Sequence, residues 1–211
     1  MRIAPDGRTA VGIAGLLALG SLTVSGLLAA FFVVVLGVLL WFYRDPERVP
    51  PADAAVWTVP ADGKVVEAED VVLPDLGKMR KVGIFMSPLD VHVNRFPFRG
   101  TVTALEYVPG KKWMAFAPKA SEENERMIVT LDTEAGPVRL VQIAGFLARR
   151  IVCRLVKGDV LDRAERYGMI KLGSKVDVYV PLRVKLSVRI GDRVSAGQSV
   201  LGVMGHENHE T

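Results

Sequence analysis

Cysteine is nearly absent from this chain of 211 residues, with Cys153 standing alone. No intrachain disulfide can form, which excludes a disulfide-stapled secreted scaffold and leaves burial and hydrogen bonding to hold the fold. Around Cys153 the run Ile151-Val-Cys-Arg-Leu-Val156 alternates as a strand does and predicts a small, buried thiol. Histidine is scarce too: His92, His206 and His209. Two of the three sit in a polar tail, residues 206–211, where Glu207 would complete a sparse ligand set. An envelope zinc peptidase needs several ligands at fixed spacing, so no metal is expected. The basic excess, a net charge of +4, comes without a nucleic-acid motif. It points to an anionic phospholipid surface as partner and away from nucleic acid.

Charge is missing altogether from Thr9 to Tyr43. A helix needs about 20 apolar residues to cross a bilayer core. This run is too long for one untilted span and short for two. Its middle, Gly20-Ser-Leu-Thr-Val-Ser-Gly26, is small and polar. Residues 1–43 are therefore expected to be a membrane anchor, either one span near Val24–Tyr43 or a tight helical hairpin. Trp41-Phe-Tyr43 followed by Arg44 supplies interfacial anchors. A signal peptide would have a shorter apolar stretch and a small-residue cleavage site, and Trp-Phe-Tyr-Arg stands there instead.

Residues 44–55, with Pro46, Pro50 and Pro51, predict an exit linker. From 56 to 205 the chain reads as short strands between turn signals. Candidates are Trp57–Val59, Gly63–Glu69, Lys81–Phe85, Gly100–Tyr107, Met127–Asp132, Val138–Ile143, Ile151–Val156, Val176–Val180, Arg183–Val188 and Val200–Met204. Helical signals are limited to Asp162–Tyr167 and Pro118–Asn124. The expected fold is mostly β (α+β): a compact antiparallel domain behind a hydrophobic helical anchor. Gly191-Asp-Arg-Val-Ser-Ala-Gly-Gln198 resembles a hairpin of lipoyl carriers and some envelope peptidases. A carrier needs its lysine at an exposed tip, and Lys185 lies within a predicted strand, so that reading fails.

Three segments carry candidate chemistry. Gly173-Ser174 precedes an apolar strand; a serine hydroxyl there can attack the preceding carbonyl, convert the amide to an ester and cut the chain by β-elimination. Most Gly-Ser pairs are simply turns. His92 lies in Ser87-Pro-Leu-Asp-Val-His-Val-Asn-Arg95, among polar groups at the end of an apolar run, where an imidazole can act as acid or base near neutral pH. Asp62, in Pro60-Ala-Asp-Gly63, offers a turn or a carboxylate that orients an imidazole.

Taken together, Pro-Ala-Asp-Gly at 60–63, Ser-Pro-Leu-Asp-Val-His-Val-Asn-Arg at 87–95, Asn-Glu-Arg at 124–126 and Lys-Leu-Gly-Ser at 171–174 resemble the phosphatidylserine decarboxylases in their short bacterial and archaeal form. The resemblance covers nearly the whole chain. It implies a membrane-bound zymogen that cuts itself between Gly173 and Ser174. The products would be a β chain of residues 1–173 and an α chain of residues 174–211, forming a heterodimer and leaving higher assembly open. Ser174 would be nucleophile and precursor of a covalent pyruvoyl group, the cofactor. Phosphatidylserine, or an ether-lipid analogue, would lose CO2 through a Schiff base on that group and leave as phosphatidylethanolamine.

His92 matches the histidine that the family ties to decarboxylation, and Asp62 the aspartate of self-cleavage. The second histidine of the long form falls at Arg95, so either His92 serves both steps or another group activates Ser174. Threonine often follows the serine, where this chain has Lys175. Arg95, Arg99, Lys111, Lys112 and Arg126 are candidates to meet the lipid phosphate. Phe96, Phe98, Trp113 and Phe116 would divide between core and interface. The catalytic domain is expected on the cytoplasmic face of the cell membrane. Two other readings are a zinc peptidase of the envelope and a membrane-tethered adaptor without activity.

Overall fold

The computed structural model describes residues 2–111, 113–115, 119–146, 150–171 and 173–205. They divide into two compact units, Met1–Glu47 with Leu89–Val91, and Arg48–Pro88 with His92–Thr211.

The first unit is a helical hairpin, α1 (Arg8–Ser21) and α2 (Gly26–Phe42), entered by a 3-10 turn at Pro5–Gly7. Small residues form the seam. Ala14, Ala18, Ser21 and Ala29 are buried, while Leu16, Leu19, Leu27, Phe31, Val34 and Val38 point outward. Small side chains let helix backbones approach closely where both faces are apolar. The reversal is fixed by hydroxyls that donate backward: Ser21 Oγ to the Ala18 carbonyl and Thr23 Oγ1 to that of Gly20, both at 2.9 Å. Arg44 stacks over Trp41 at 4.0 Å and donates to the Leu89 carbonyl at 2.6 Å. Among the described residues no helix is long and apolar enough to cross a membrane; α2, with 17 residues, spans roughly 25 Å.

The second unit is antiparallel throughout its strand pairings. Its strands are β1 (Val56–Thr58), β2 (Gly63–Leu73), β3 (Gly77–Met86), β4 (Val93–Arg95), β5 (Gly100–Val108), β6 (Arg126–Thr133) and β7 (Gly136–Ala144). They continue with β8 (Ile151–Cys153), β9 (Val160–Leu161), β10 (Arg166–Ile170), β11 (Ser174–Pro181), β12 (Val184–Leu186), β13 (Arg193–Val194) and β14 (Val200–Met204). One short helix, α3 (Ala120–Glu123), precedes β6. An eight-stranded sheet runs β13-β2-β3-β11-β7-β6-β5-β9, and two three-stranded sheets run β1-β14-β12 and β4-β10-β8.

β11 lies at the centre, paired with β3 on one side and β7 on the other. Side chains alternate across a strand. Val176, Val178 and Val180 enter the core with Ile84, Met86, Leu140 and Ala144, whereas Lys175, Asp177 and Tyr179 take the opposite face. A bulge between Val65 and Glu67 sets Glu67 opposite Gly83, on the Lys175 face.

The helix expected at Asp162–Tyr167 does not form. The Asp162 N–H bonds the Glu165 carboxylate at 3.2 Å, as in a capping box, but Ala164 adopts φ 68°, which ends any helix. Tyr167 then enters β10 and packs edge-on against Phe96 at 5.7 Å. The other expected helix survives as α3. Residues 48–55, expected as linker, are tied to the β unit: Arg163 donates to the carbonyls of Pro51, Asp53 and Val56. Cys153 is half-buried, and burial pushes its thiol up. The tail with His206 and His209, and also Lys112 and Phe116, lies outside the described residues.

The Pro60–Gly63 turn depends on close backbone approach. Gly63 has φ +147°, and a Cβ there would lie 2.1 Å from the Phe85 carbonyl oxygen. Gly63→Ala should cost at least ~2 kcal/mol, because neither partner is a flexible side-chain end. Urea denaturation against the parent protein checks this.

Candidate active site

The three segments singled out in the sequence converge on Met86, at the end of β3. Ser174 opens β11 directly opposite Met86 and, on the other side, Ala144. Gly63 approaches the Phe85–Met86 backbone. Asn94, two residues beyond His92, donates from Nδ2 to Met86 Sδ at 3.6 Å, and Gln142 Nε2 donates to Asn94 Oδ1 at 2.8 Å. The His92 carbonyl accepts from the Ile170 N–H at 3.4 Å, and the Arg95 N–H donates to the Pro60 carbonyl at 2.9 Å. β4 therefore lies between the segment that carries Asp62 and the strand leading to Gly173.

Ser174 is fully buried on the core face, and its Oγ has no hydrogen-bond partner among the described residues. His92 is fully buried too; its Nε2 makes no hydrogen bond among the described residues, while the residue is held through other contacts. An unsatisfied buried hydroxyl costs on the order of 1–3 kcal/mol. Such exceptions call for an explanation, and a reacting atom is one. Gly173, before it, adopts φ +61°, a left-handed conformation that any side chain would strain.

Asp62 is nearly buried and held firmly. Arg48 donates to Oδ2 at 2.8 Å, and the Ala196 N–H donates to Oδ1 at 2.7 Å. Arg48 also reaches Gln198 at 2.5 Å. This carboxylate is oriented by a fixed cation and a backbone amide, as an acid that in turn orients an imidazole must be.

The candidate lipid contacts scatter. Arg95 is buried and donates to the Ala164 carbonyl at 2.9 Å. Lys111 pairs with Glu123 at 2.9 Å, next to a half-exposed Trp113 whose Nε1 donates to the same carboxylate. Arg126 donates to the carbonyls of Glu122 and Asn124. Arg99 is exposed, 3.6 Å from Asp162. Phe96 and Phe98 belong to the core, the latter stacked on Trp57 at 4.4 Å.

Across the sheet from Ser174 sits an ion cluster that no motif signalled. Lys175, with no exposed surface, donates to Glu67 at 2.5 Å and to Ser121 Oγ at 2.9 Å, and lies 3.2 Å from Asp177. Lys81 meets Glu67 at 2.5 Å and Asp177 at 3.6 Å, and Ser121 donates to Asp177 at 2.9 Å. Two cations and two anions thus balance. Burial pushes the Asp177 carboxyl up, whereas the two ammonium groups hold Glu67 below the usual range despite its own burial. Tyr179, on the same face, is pushed up to about 12 by burial and the Asp177 charge. The sequence did show the alternation that puts Lys175, Asp177 and Tyr179 on one face, but not the bulge that brings Glu67 to them. Arg48, Gln142 and Gly145 were likewise missed, each lying outside the recognisable motifs.

A family model described as phosphatidylserine decarboxylase matches residues 35–202. Curated relatives named phosphatidylserine decarboxylase proenzyme agree. The one from Chlorobium chlorochromatii is 49% identical over 176 residues, covering 83% of each chain. The one from Nitratidesulfovibrio vulgaris is 44% identical over 202 residues, covering 94% of this chain and 93% of its own. The one from Pelobacter propionicus is 44% identical over 179 residues, covering 84% and 81%.

The ion cluster makes stability depend on pH. Glu67 has a lowered folded value, so its contribution is complete above the ordinary 4.5 and is lost as pH falls through the folded value. Asp177 acts in the opposite sense: its burial penalty is relieved as pH falls through its raised value. Glu67→Gln leaves two ammonium groups to share the single carboxylate of Asp177 and should cost about 3 kcal/mol at neutral pH. That gap should begin to narrow below the ordinary 4.5, where the unfolded chain takes up the proton, and continue until pH falls through the lowered folded value, where the folded parent's Glu67 protonates too. Urea denaturation between about pH 3 and pH 7 reads both effects.

Proposed function

The chain belongs to the phosphatidylserine decarboxylase family, and on that premise we infer that it is a proenzyme that cuts itself between Gly173 and Ser174 and then decarboxylates phosphatidylserine to phosphatidylethanolamine. The observation that carries this reading is the buried Oγ of Ser174, without a hydrogen-bond partner among the described residues, directly after a left-handed Gly173. Family membership leaves the zinc-peptidase and adaptor readings without support.

Self-cleavage follows from these atoms. Ser174 Oγ attacks the Gly173 carbonyl carbon; its proton passes to the Ser174 amide nitrogen as the C–N bond breaks, leaving an ester and a free amine. Loss of the Ser174 Cα proton then expels the Gly173 carboxylate from Cβ. Water replaces the nitrogen, ammonia departs, and Ser174 remains as a pyruvoyl group at the head of the α chain. His92 and Asp62 are the residues of this chain that suit the proton transfers, with Arg48 and Ala196 holding the Asp62 carboxylate in one orientation.

The site fits a pyruvoyl group: its source, Ser174, lies in a buried setting that limits the water around an electrophile. Once formed, the group supplies a ketone that captures the substrate amine and draws in the electrons freed when CO2 leaves. His92 then supplies a proton to the substrate carbon. The α and β chains stay together as a heterodimer, since β11 pairs on both sides with β-chain strands.

The helical hairpin docks the enzyme on the cytoplasmic face of the cell membrane. Its outward apolar side chains suit acyl chains. Lys111, Lys112 and Arg126 are the cations proposed for lipid phosphate; Arg95 is buried and donates to the Ala164 carbonyl, which suits holding the fold rather than meeting lipid.

Intact-mass analysis of the purified protein should show two fragments, residues 1–173 and 174–211, the second lacking its amino nitrogen. Ser174→Ala should remain whole and inactive. A wild-type chain of full mass would refute the reading. Phe31→Asp combined with Val34→Asp should weaken flotation with anionic vesicles about tenfold or more, given the cost of carrying charge into hydrocarbon, while leaving the cut intact.

A further inference from the structure

The carbonyl that Ser174 must attack is itself positioned. A Cβ built on Gly145 would lie 2.0 Å from the Gly173 carbonyl oxygen and 3.0 Å from its carbon. The oxygen is the nearer atom, so the carbonyl points at Gly145. The same Cβ would meet the Ala115 side chain at 3.1 Å. Gly145 has no side chain because the carbonyl occupies that space. Gly173, by contrast, has nothing within 4 Å of its own Cβ position. Gly173 is required by its backbone angle, Gly145 by what faces it.

Gly145 follows directly on Ala144, the β7 partner of Ser174. Ala144 is held at both polar backbone atoms. Its N–H donates to the Glu125 carbonyl at 2.9 Å, and its carbonyl accepts from Asn124 Nδ2 at 2.7 Å. Asn124 is fully buried. It also donates to the Trp113 carbonyl and accepts from the Trp113 N–H, both at 2.8 Å. One amide thus fixes the end of β7 and the segment holding Trp113 and Ala115, the two walls beside the Gly173 carbonyl. This gives the Asn124-Glu-Arg126 motif a role that neither acid-base chemistry nor lipid binding explains.

We propose that Gly145 and Asn124 are positioning residues for self-cleavage, forming a cradle that fixes the Gly173 carbonyl so that its carbon faces Ser174 Oγ. The proposal rests on the self-cleavage reading above and adds the residues that orient the electrophile. Attack converts the planar carbonyl carbon to a tetrahedral one and moves its oxygen, so the oxygen's surroundings govern the barrier.

The test follows processing of the full chain by intact mass over time after synthesis, with wild type alongside. Gly145→Ala pushes a methyl group onto the carbonyl and should slow the cut ~100-fold or more, as an ångström of misplacement can. Its melting temperature is compared in the Ser174→Ala background, where neither protein is cut, and should fall, since the added methyl group meets backbone as it does at Gly63; processing is therefore followed well below that temperature. Hydroxylamine separates the steps, because it cleaves esters: Gly145→Ala should accumulate no hydroxylamine-sensitive ester, since the block precedes ester formation. Should Gly145→Ala fail to fold, Asn124→Asp decides. It keeps the side chain's size and the acceptor for Trp113 but loses both donated bonds, and should slow the cut about tenfold. Wild-type processing in the folded Gly145→Ala protein, or in Asn124→Asp if that must decide, overturns the cradle but leaves self-cleavage standing. An uncut wild-type chain overturns both.

Discussion

Everything at the site depends on the register of β11 between β3 and β7. Ser174 stands opposite Met86 and Ala144, and that pairing decides which of two neighbours faces inward. A slip of one residue would turn Ser174 out and drive the Lys175 ammonium into the valine-rich core. The ion cluster makes that slip costly. Lys175 is matched by Glu67, Asp177 and Ser121 on its own face, and stranding it would cost several kcal/mol. A lysine directly after the serine is thus consistent with the proposed chemistry, because it secures the neighbouring serine from the opposite face of the sheet.

On the proposed self-cleavage, the same register would hold the two chains together after the cut. Breaking the chain between Gly173 and Ser174 frees the first residue of a central strand. β11 still has eight residues, with ladders on both sides and valines in the core. The ion pairs begin one residue beyond the break, so the new end is pinned close to its terminus. An edge strand would fray at such a point, since terminal segments with few contacts open most easily. A central strand keeps its reactive end in place.

The chain's strands were legible wherever alternation was strong and turns were marked. Val200–Met204 matches β14, and Met127–Asp132 and Val138–Ile143 lie within β6 and β7. Short strands such as β4, β9 and β13 left no periodic signal; they exist because neighbours pair with them. Asp162–Tyr167 misled because Asp and Glu three apart look like a helix start, and a left-handed Ala164 cannot be read from sequence. Of the site, Ser174, His92 and Asp62 were visible as motif residues. Arg48 was hidden in what read as a linker, and Asn124 showed a motif without a role. Gly145 carried no signal, because its meaning lies wholly in the carbonyl it faces across the fold.

A proenzyme has to fold before it reacts, and its folded state then contains the reason to react. Ser174 Oγ is buried without a partner among the described residues, Gly173 is held at φ +61°, and its carbonyl is packed against Gly145. The unsatisfied hydroxyl alone costs ~1–3 kcal/mol, a sizeable part of the roughly 5–15 kcal/mol that separates a typical folded domain from its unfolded chain. The surrounding sheet carries that cost through valine burial and the ion cluster. Cutting removes the hydroxyl, since its oxygen leaves with the Gly173 carboxylate, and frees Gly173 from its bond to β11. The proposed reaction would therefore consume the very group whose burial is unfavourable, and the fold that forces the serine inward would also gain from its loss.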